Sequence, residues 1–559
     1  MTDCICVNTL GELATYTIPT GTQSAMVQQF NSTSAVSSAL YITVSSNPNH
    51  PLSIRSPGPN APWWTIHPDY ISLEAAGAPP VGGDCAPAMQ NVLRYYSAVS
   101  RVVLKLWARD YLLNSLSSLT GMGLPAPANA GFTIIGQGST VSRLIVPYSP
   151  NTGGALAVQF IDSFSQYVLR DFSVLATGAS VTTGPGNCGT AIAMTFAANV
   201  PPRLHSGIVE HLHIGPLFDT TGEGYSYFEV GLDLSGTPLP VVLDTLITGC
   251  DGSIAHDNYA DNSPRYAAQF LLKIDNCYDP HILACSFWHA TTGVSYVCTF
   301  TQVQGFLFAD NEIEGVQTGL PISHDQECPD GQIRNTFCQF RNIGLDIGNV
   351  AKWRVTGGTS RIEGSEPVAY DMQFLAADNV MVTGHTFESH EVAVENANRV
   401  NIYIDAATKV NGVNHGKNFL IDTNIFGDLL DQPFATSAIQ TNGNTQNIQI
   451  GSSNAYIGPF SGSIVNDASG AAVTLAGFPT TNAIGSAVVP NGTTSTGIPT
   501  LGSSAAAWPA SFSFGHYLPD NPPLTTPSAP ITGWVFYTDN SGKLWAKFES
   551  EPARLLLSP

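Results

Sequence analysis

A repeat of about 25 residues constrains the fold of this chain more than any other feature of its sequence. Five segments in the middle of the chain each carry one apolar residue at an equivalent position, and the steps between these residues are 26, 24, 25 and 25. The apolar residues are Phe287, Ile313, Phe337, Ile362 and Phe387. One coil of this length cannot bury its apolar face alone, so it must stack on its neighbours. The repeat predicts an all-β parallel β-helix, whereas a β-sandwich would require the spacing to be accidental.

The composition agrees with a solenoid that is rich in turns. The 559 residues include 52 glycines and 38 prolines, and only 11% of the chain is charged. This mixture disfavours helices and favours short strands joined by turns. A chain of this length also exceeds one compact core. No stretch approaches the roughly 20 apolar residues that a membrane span requires, so we expect no membrane span.

Changes in residue composition and apolar pattern along the chain divide it into three predicted regions. Residues 1–70 are expected to form a small N-terminal adaptor module, and residues 71–455 to form the β-helix, with a short capping helix near 87–103. Residues 456–559 are rich in small residues and are expected to form a β-rich oligomerisation region. The chain closes with two apolar strands around an Asp-Asn-Ser-Gly turn at 539–542, which predicts a β-hairpin.

Charge and cysteine pattern narrow the class of partner. The formal net charge is -21, and no basic patch is visible, which argues against nucleic acid as a partner. The beginning of the chain lacks the basic and apolar regions of a signal peptide. The ten cysteines show no zinc spacing. Without a secretion signal, we expect them to be reduced core thiols.

The beginning of the predicted β-helix carries an ordered series of signals. Tyr70-Ile71-Ser72-Leu73 runs into Glu74-Ala75-Ala76-Gly77-Ala78, and Gly83-Asp84, the predicted helix and the strand Thr133-Ile134-Ile135-Gly136 follow. This order resembles the opening of the pectate-lyase-like right-handed β-helix in phage tailspikes and polysaccharide depolymerases. Gly83-Asp84 is shorter than the acidic turn that is usual in that family.

The resemblance implies a virion tail protein that is attached through its N-terminal module and handles a bacterial surface polysaccharide outside the cell. The terminal hairpin resembles those of viral fibre proteins, which implies a homotrimer. An acidic surface repels polyanions, so a neutral or weakly charged glycan fits better than a dense polyuronate. This fold carries hydrolases, lyases and non-catalytic binders, so the family resemblance alone does not select the chemistry.

The alternation of side chains in strands turns the repeat into a map of the outer surface. If the five repeat residues point inward, both neighbours of each point outward. The column that follows them is Trp288, Glu314, Cys338, Glu363 and Glu388. The column that precedes them is Ser286, Glu312, Thr336, Arg361 and Thr386. The sequence therefore predicts a face with several carboxylates, one tryptophan and one arginine.

The predicted column contains candidate catalytic carboxylates. Rungs of a β-helix stack about 4.8 Å apart, so Glu314 and Glu363, two rungs apart, would be separated by roughly 9.6 Å. That distance is near the ~6.5–9.5 Å of an inverting glycosidase, and one rung, as between Glu363 and Glu388, is near the ~5–5.5 Å of a retaining one. Trp288 could stack on a sugar, with Glu312 and Arg361 as polar contacts. A merely solvated outer face is the alternative for each glutamate.

Two segments outside the column form a rival site. Asp257, Tyr259 and Arg265 fall in one predicted loop, and Asp325 falls in a second loop one coil beyond Glu314. Both loops combine acidic groups with aromatic or basic ones. Their oxygen atoms are also of the type that Ca²⁺ prefers, although the predicted hydrolysis requires no cofactor and no metal ligands are predicted.

Endo-glycosidic hydrolysis by paired carboxylates is the expected activity. A polysaccharide lyase on the same fold is an alternative, and it would use a His or Tyr base with a cation or an Arg that neutralises a uronate. A non-enzymatic glycan-binding spike or adhesin is the other alternative.

Overall fold

A computed structural model gives the structure of the chain. It describes residues 4–58, 61–69, 71–119, 128–129, 131–161, 164–180, 182–197, 207–218, 224–250, 264–297, 305–322, 328–362, 369–389, 399–406, 409–410, 413–427, 435–443, 445–457, 460–467, 473–476, 534–538, 544–548 and 554–557. The chain divides into two units, residues 1–498 and residues 499–559.

The described elements are mostly short strands. The first half of the chain contains β1 Cys4–Thr9, α1 Leu10–Leu13, β2 Ser24–Gln29, β3 Ala39–Val44, β4 Ser53–Arg55, β5 Trp63–Ile66, β6 Ile71–Ser72, α2 Ala86–Val99, β7 Arg101–Lys105, β8 Asp110–Leu112, β9 Ser117–Ser118, β10 Gly131–Ile135, β11 Arg143–Pro147, β12 Gly154–Phe160, β13 Gln166–Arg170, β14 Ser173–Thr177, β15 Gly186–Asn187, β16 Thr190–Phe196, β17 Gly207–Glu210, β18 His213–Pro216, β19 Ser226–Tyr227, β20 Val230–Asp233, β21 Pro240–Leu243, β22 Leu246–Thr248, a 3₁₀ helix Pro264–Tyr266, β23 Phe270–Lys273 and β24 His281–Leu283. The second half contains β25 Ser286–Ser295, β26 Phe306–Ala309, β27 Glu312–Ile322, β28 Cys328–Pro329, β29 Gly331–Arg334, β30 Phe337–Ile347, β31 Val350–Ala351, β32 Arg354–Thr356, β33 Thr359–Ile362, β34 Ala369–Leu375, β35 Asp378–Thr383, β36 Thr386–Ser389, β37 Arg399–Asp405, β38 Lys409–Val410, β39 Val413–Asn414, β40 Lys417–Asp422, β41 Ile425–Phe426, β42 Ser437–Asn442, β43 Gln446–Gly451, β44 Ala455–Tyr456, β45 Val465–Asp467, β46 Val473–Ala476, β47 Trp534–Thr538, β48 Leu544–Phe548 and β49 Arg554–Leu557.

The first five strands form a separate sheet in the order β1-β2-β3-β5-β4. Only its β1–β2 pair is parallel, and the remaining pairs are antiparallel. Alternate residues of β1, β2 and the first part of β3 are buried. Trp64 is fully buried, and its indole N–H donates a hydrogen bond to Ser56 Oγ at 2.6 Å.

Parallel strands build the rest of the first unit. Sheet 1 runs from β6 to β46, and sheet 2 runs from β8 to β45. Each coil places one strand in sheet 1, such as β26, and then one or two strand segments in sheet 2, such as β27. The same elements of successive coils pair in parallel, as in β24–β26–β29 and β25–β27–β30. The predicted all-β parallel β-helix is confirmed.

A helix lies beside the first coils, in the stretch where the sequence predicts one. Helix α2 has Pro87 in its first turn, where a missing N–H costs nothing. Met89, Val92, Leu93 and Tyr96 form its buried face. The helix contacts β7 and β9. These contacts cover the apolar face of the first coils, which have no preceding coil to do so.

A tight turn between sheet 1 and sheet 2 recurs from coil to coil. One residue adopts left-handed backbone, such as Asp310 at φ 57° or Thr423 at φ 58°, and a buried polar residue follows it. The side-chain oxygen of that polar residue accepts the backbone N–H at the equivalent place in the preceding coil, as from His385 N to Asn424 Oδ1 at 3.0 Å. The buried polar residues at this position include Asn311, His385, Asn424 and Asn454.

The interior is filled by apolar side chains stacked along the coils. Phe387, Phe426 and Tyr456 follow one another with ring centroids 4.7 and 5.2 Å apart. Seven of the described cysteines are also buried, and Cys4 and Cys6 are exposed in β1. Within the described ranges, no helix is long and apolar enough to cross a membrane.

The second unit contains the predicted terminal hairpin. Strands β47 and β48 pair antiparallel from Trp534–Phe548 to Thr538–Leu544, and β49 adds a third antiparallel strand. The predicted turn at 539–542 lies outside the described residues. The role of this unit in a homotrimer stays a prediction.

Candidate functional site

The candidate site lies on the outer surface of sheet 2, along β25, β27, β30, β33 and β36. Trp288 pairs with Glu314 in register, as Phe287 does with Ile313. Phe287 and Ile313 are fully buried, whereas Trp288 and Glu314 are half-buried. The outward alternation predicted for these two coils is therefore correct.

Glu312 is held by two donors from the preceding coil. Its Oε2 accepts a hydrogen bond from Trp288 Nε1 at 3.3 Å and one from Ser286 Oγ at 3.2 Å. An ionised carboxylate accepts both bonds at once. The same contacts fix the edge of the Trp288 ring and leave the half-buried indole at the surface beside Glu314.

Glu312 and Glu314 form the closest outward carboxylate pair on this strand. They are separated by one inward residue, so both point outward, and the rise of a strand places their Cα atoms about 6.7 Å apart. The carboxyl groups of inverting glycosidases are separated by ~6.5–9.5 Å. The Cα spacing is compatible with such a separation of the carboxyl groups, which makes the two glutamates candidates for an acid and base pair.

The chain bends directly after Glu314, and two cationic or ionisable side chains lie over the bend. Gly315 has φ 62°, and a methyl group on it would lie 2.6 Å from His289 Cδ2 and 3.4 Å from Arg265 Cδ. Only glycine fits here, because both the left-handed backbone and the close ring exclude a side chain. Arg265, predicted from the sequence as a binding residue, is thus brought next to Glu314.

The 3₁₀ helix that carries Arg265 is fixed to β25. Thr291 Oγ1 donates to the carbonyl of Tyr266 at 2.9 Å, and the guanidinium of Arg341 lies 5.9 Å from the centroid of the Tyr266 ring. Arg341 and Tyr266 are both buried. Sequence reasoning missed His289 and Arg341, because their proximity to Arg265 and Tyr266 depends on how a long loop returns to the sheet.

A second polar cluster lies farther along the same face. Arg361 donates to Glu388 Oε2 at 2.8 Å, and its guanidinium lies 5.4 Å from the centroid of the Phe337 ring. Both members of the ion pair are about one-third exposed, with 36% and 32% of their side chains accessible. Glu388 is therefore a partner of Arg361 on the outer surface.

A buried polar network supports this second cluster from within. Arg399 donates to both carboxylate oxygens of Asp371 and also to the carbonyl of Glu388 at 2.6 Å. Ser360 Oγ lies 2.9 Å from Asp371 Oδ1 and 3.1 Å from His385 Nε2. Burial lowers the pKa of His385 to about 4, so the imidazole is neutral and its Nδ1–H donates to the carbonyl of Gly357 at 2.8 Å. No periodic signal in the sequence identifies these inward polar residues.

The structure corrects the predicted columns beyond Ile313. Cys338, predicted to face outward, is the buried partner of Ile313, and Phe337, predicted to face inward, is half-buried. Arg361, predicted in the preceding column, pairs with Glu388 instead. The prediction aligned Ile313 with Phe337, but the strand pairing aligns Ile313 with Cys338, so near-equal spacing in the sequence does not give equal positions on the rungs. Glu314 and Glu388 are then three rungs apart, or about 14 Å, too far to act as a pair.

Several predicted site residues lie outside the described residues: Glu363, Asp257, Tyr259 and Asp325. Their roles stay predictions. Among the residues that the structure describes, no group of three or more His, Cys, Asp or Glu is placed to hold a metal ion.

Comparison with known proteins gives structural likeness at low sequence identity. No family model and no curated protein matches the chain. The enzymatically active domain of tailspike protein 2 from bacteriophage CBA120 matches with 13% identity and a TM-score of 0.48, over 80% of this chain and 59% of that one. The mannuronan C-5 epimerase A-module of Azotobacter vinelandii matches with 12% identity and a TM-score of 0.48, over 72% of this chain and 99% of that one.

A third similar structure is the catalytic unit of an α-1,3-glucanase from Streptomyces thermodiastaticus. It has 13% identity and a TM-score of 0.42, over 75% of this chain and 71% of that one. The chain spans 59% of the tailspike domain named above and 55% of the full-length tailspike protein 2. At these identities the likeness concerns the fold.

Proposed function

We propose that this chain is a tailspike that binds a bacterial surface polysaccharide and cleaves it by endo-glycosidic hydrolysis. The observation that carries the proposal is the pair Glu312 and Glu314 beside the half-buried Trp288 on the outer face of the β-helix. This arrangement combines two outward glutamates, two residues apart on one strand, with an aromatic surface on which a sugar ring can stack.

The contacts of Glu312 favour it as the general base. Two donors hold its Oε2, which orients the carboxylate that would accept a proton from water. The water oxygen then bonds to the anomeric carbon while the glycosidic C–O bond breaks. Glu314 supplies the proton to the leaving oxygen. Glu312 is then protonated and Glu314 is ionised, and proton exchange with solvent restores both groups.

Trp288 and the second cluster extend the proposed glycan path. The indole of Trp288 offers an apolar face to the C–H groups of a sugar, and its N–H is already bonded to Glu312. Arg361, two rungs beyond Glu314, and Glu388, three rungs beyond it, would contact hydroxyl groups of more distant sugars. Glu363, Asp257, Tyr259 and Asp325 remain candidate contributors from the adjoining segments.

We also propose a homotrimer at the virion tail, attached through residues 1–70. The resemblance of the β-helix opening and of the terminal hairpin supports this assembly. Light scattering on the full chain should give three times the 59.1 kDa chain mass. A monomer at micromolar concentration would contradict the assembly without bearing on the chemistry.

A polysaccharide lyase is the second candidate, and one observation favours it. His289 and Arg265 both lie over Gly315, next to Glu314. In a lyase, Arg265 would neutralise the carboxylate of a uronate, and His289 would remove the proton from the carbon beside it. A glycan-binding spike without catalysis would use the same surface and form no product.

One experiment separates these functions. The protein is incubated in ¹⁸O-enriched water with capsules and O-antigens from a panel of strains, and the products are weighed by mass spectrometry. Hydrolysis adds one water and places ¹⁸O at the new reducing end. A lyase adds no water and creates an unsaturated sugar that absorbs in the ultraviolet. If a glycan binds and neither the hydrolysis product nor the lyase product forms, both enzymatic proposals are contradicted.

A further inference from the structure

A hollow of about 510 Å³ lies on the outer face of sheet 1, away from the carboxylate pair on sheet 2. Its lining residues come from four successive coils. They include Asp330, Gln332, Lys352, Arg354, Asn379, Asn418, Met381 and Leu420. The volume is within the ~300–1,000 Å³ of ligand pockets.

A glycine and a tryptophan pack beneath the hollow. Trp353 is fully buried under the sheet, and its ring stacks on Phe306 with centroids 5.4 Å apart. Gly331 lies against that ring, because a methyl group there would be 2.1 Å from Trp353 Cε2. The tryptophan N–H donates to the carbonyl of Cys328 at 2.7 Å, which locks the ring in place. The floor of the hollow is therefore rigid.

The hollow concentrates positive charge on an acidic protein. Lys352 and Arg354 are exposed, and neither forms an ion pair with any residue that the structure describes. Lys352 has left-handed backbone at φ 60°, a position that asparagine occupies in the next two coils, Asn379 and Asn418. Asp330 is the carboxylate at the rim. The two cations thus outnumber the anion at a site whose chain has a net charge of -21.

Neutral donors surround the cations. Asn447 Nδ2 donates to Asn418 Oδ1 at 2.8 Å, and Asn418 Nδ2 donates to Asn379 Oδ1 at 3.0 Å. This series of hydrogen bonds ends at Asn379, whose Nδ2 donates to no acceptor among the described residues. Arg334 donates to Gln332 Oε1, so the amide nitrogen of Gln332 also remains a donor.

The remaining wall is apolar. Arg354, Met381 and Leu420 pair in register as outward residues of successive strands, so the two apolar side chains follow the guanidinium along the sheet. A pyranose ring presents C–H groups on its faces and polar groups at its edges. The apolar wall and the charged and amide side chains of the hollow match these two kinds of group. An acidic sugar would place its carboxylate on Arg354 in a bidentate pair and its ring on Met381 and Leu420.

We propose that this hollow is a second glycan site, which binds a carboxylate-bearing sugar unit. The site is separate from the carboxylate pair and does not depend on cleavage. The hollow would bind an occasional acidic unit of a weakly charged polysaccharide, while the outer face of sheet 2 cleaves another part of the same polysaccharide.

The test uses calorimetric titration of the full chain with three probes: trigalacturonate, its methyl ester and inorganic phosphate. We expect trigalacturonate to bind at millimolar or lower concentration, and the ester, which has the same shape without charge, to bind at least tenfold more weakly. Arg354→Ala should weaken trigalacturonate binding at least tenfold. Arg94→Ala, which removes one exposed positive charge from helix α2, should leave it unchanged.

The outcomes decide the proposal. Equal binding of acid and ester, equal losses in both arginine variants, or no binding of trigalacturonate at millimolar concentration would each overturn it. Binding of phosphate as tightly as trigalacturonate would indicate an anion site without sugar recognition and would also overturn it. Glu314→Gln should retain wild-type trigalacturonate affinity, so a failure of the cleavage proposal is distinguishable from a failure of this one.

Discussion

Asp371 and Arg399 form an ion pair that is fully buried within the β-helix, with 0% of either side chain accessible. Arg399 Nη2 lies 2.8 Å from Asp371 Oδ1. Asn401 and Ser360 also contact the carboxylate, and Arg399 reaches the carbonyl of Glu388. Removal of water from two charges is costly, and these hydrogen bonds offset that cost. The pair joins adjacent coils directly below the Arg361–Glu388 cluster.

Removal of one partner should destabilise the fold strongly. Arg399→Met leaves the Asp371 carboxylate buried without its cation, and we expect a loss of roughly 3–5 kcal/mol in the free energy of unfolding. The double variant Arg399→Met with Asp371→Leu should recover much of the loss. Urea unfolding followed by tryptophan fluorescence measures both. A single variant as stable as the wild type would show that the pair contributes little.

The neutral His385 should make stability depend on pH. Its pKa is about 4 in the fold, against 6.5 when exposed, so the unfolded chain takes up the proton first. Stability is therefore full above about pH 6.5 and declines as pH falls towards 4. His385→Asn, which installs the residue found at Asn311 and Asn424, should weaken this decline. Melting curves between pH 4 and 7 test it, and an unchanged slope would contradict the assignment.

The carboxylate pair should be essential for cleavage. Glu312→Gln and Glu314→Gln preserve shape and remove proton transfer, so each should lower the rate by roughly 10²–10⁴-fold. Glu210→Gln, on sheet 1, is the matched control and should leave the rate unchanged. Release of reducing ends from the cognate glycan is the measurement. Near wild-type rates in both site variants would mean that this face is only solvated.

Trp288 should act on binding more than on chemistry. Trp288→Ala removes the stacking surface, which serves the ground state and the transition state alike. We expect KM to rise by about tenfold with little change in kcat, since each 1.4 kcal/mol lost is tenfold in affinity. Trp288→Phe keeps an aromatic ring and should recover part of the effect. A large fall in kcat for the phenylalanine variant would point to the lost N–H bond with Glu312 instead.

The space at Gly331 should accept no side chain. Gly331→Ala places a methyl group within 2.1 Å of the buried Trp353 ring, so the ring or the backbone must move. We expect a cost of about 1–3 kcal/mol, typical of overpacking. Gly11→Ala, whose methyl group would meet only Thr9 Oγ1 at 3.8 Å, is the control. Equal melting temperatures for the two variants would contradict the close packing.

The sequence predicts the architecture better than the site. Stacking of coils follows from spacing alone, and Trp288, Glu312 and Glu314 were placed correctly because Phe287 and Ile313 occupy equivalent positions. Beyond Ile313 the spacing misleads, because Cys338, one residue after the predicted Phe337, pairs with Ile313 and is the inward residue. The inward Arg399 and Asp371 carry no apolar period, so nothing in the pattern distinguishes them from surface residues.

The polar turn residues between the sheets impose an order on the growing chain. Cys285 N–H is satisfied by Asn311, His385 N–H by Asn424, and Asn424 N–H by Asn454, so in these three cases the acceptor comes from the later coil. During synthesis, the newest coil therefore carries a donor that waits for the next one. At these turns, the later coil provides the acceptor for a buried backbone N–H of the coil before it. Coils can therefore be added in the order of translation, beginning at the end that helix α2 covers.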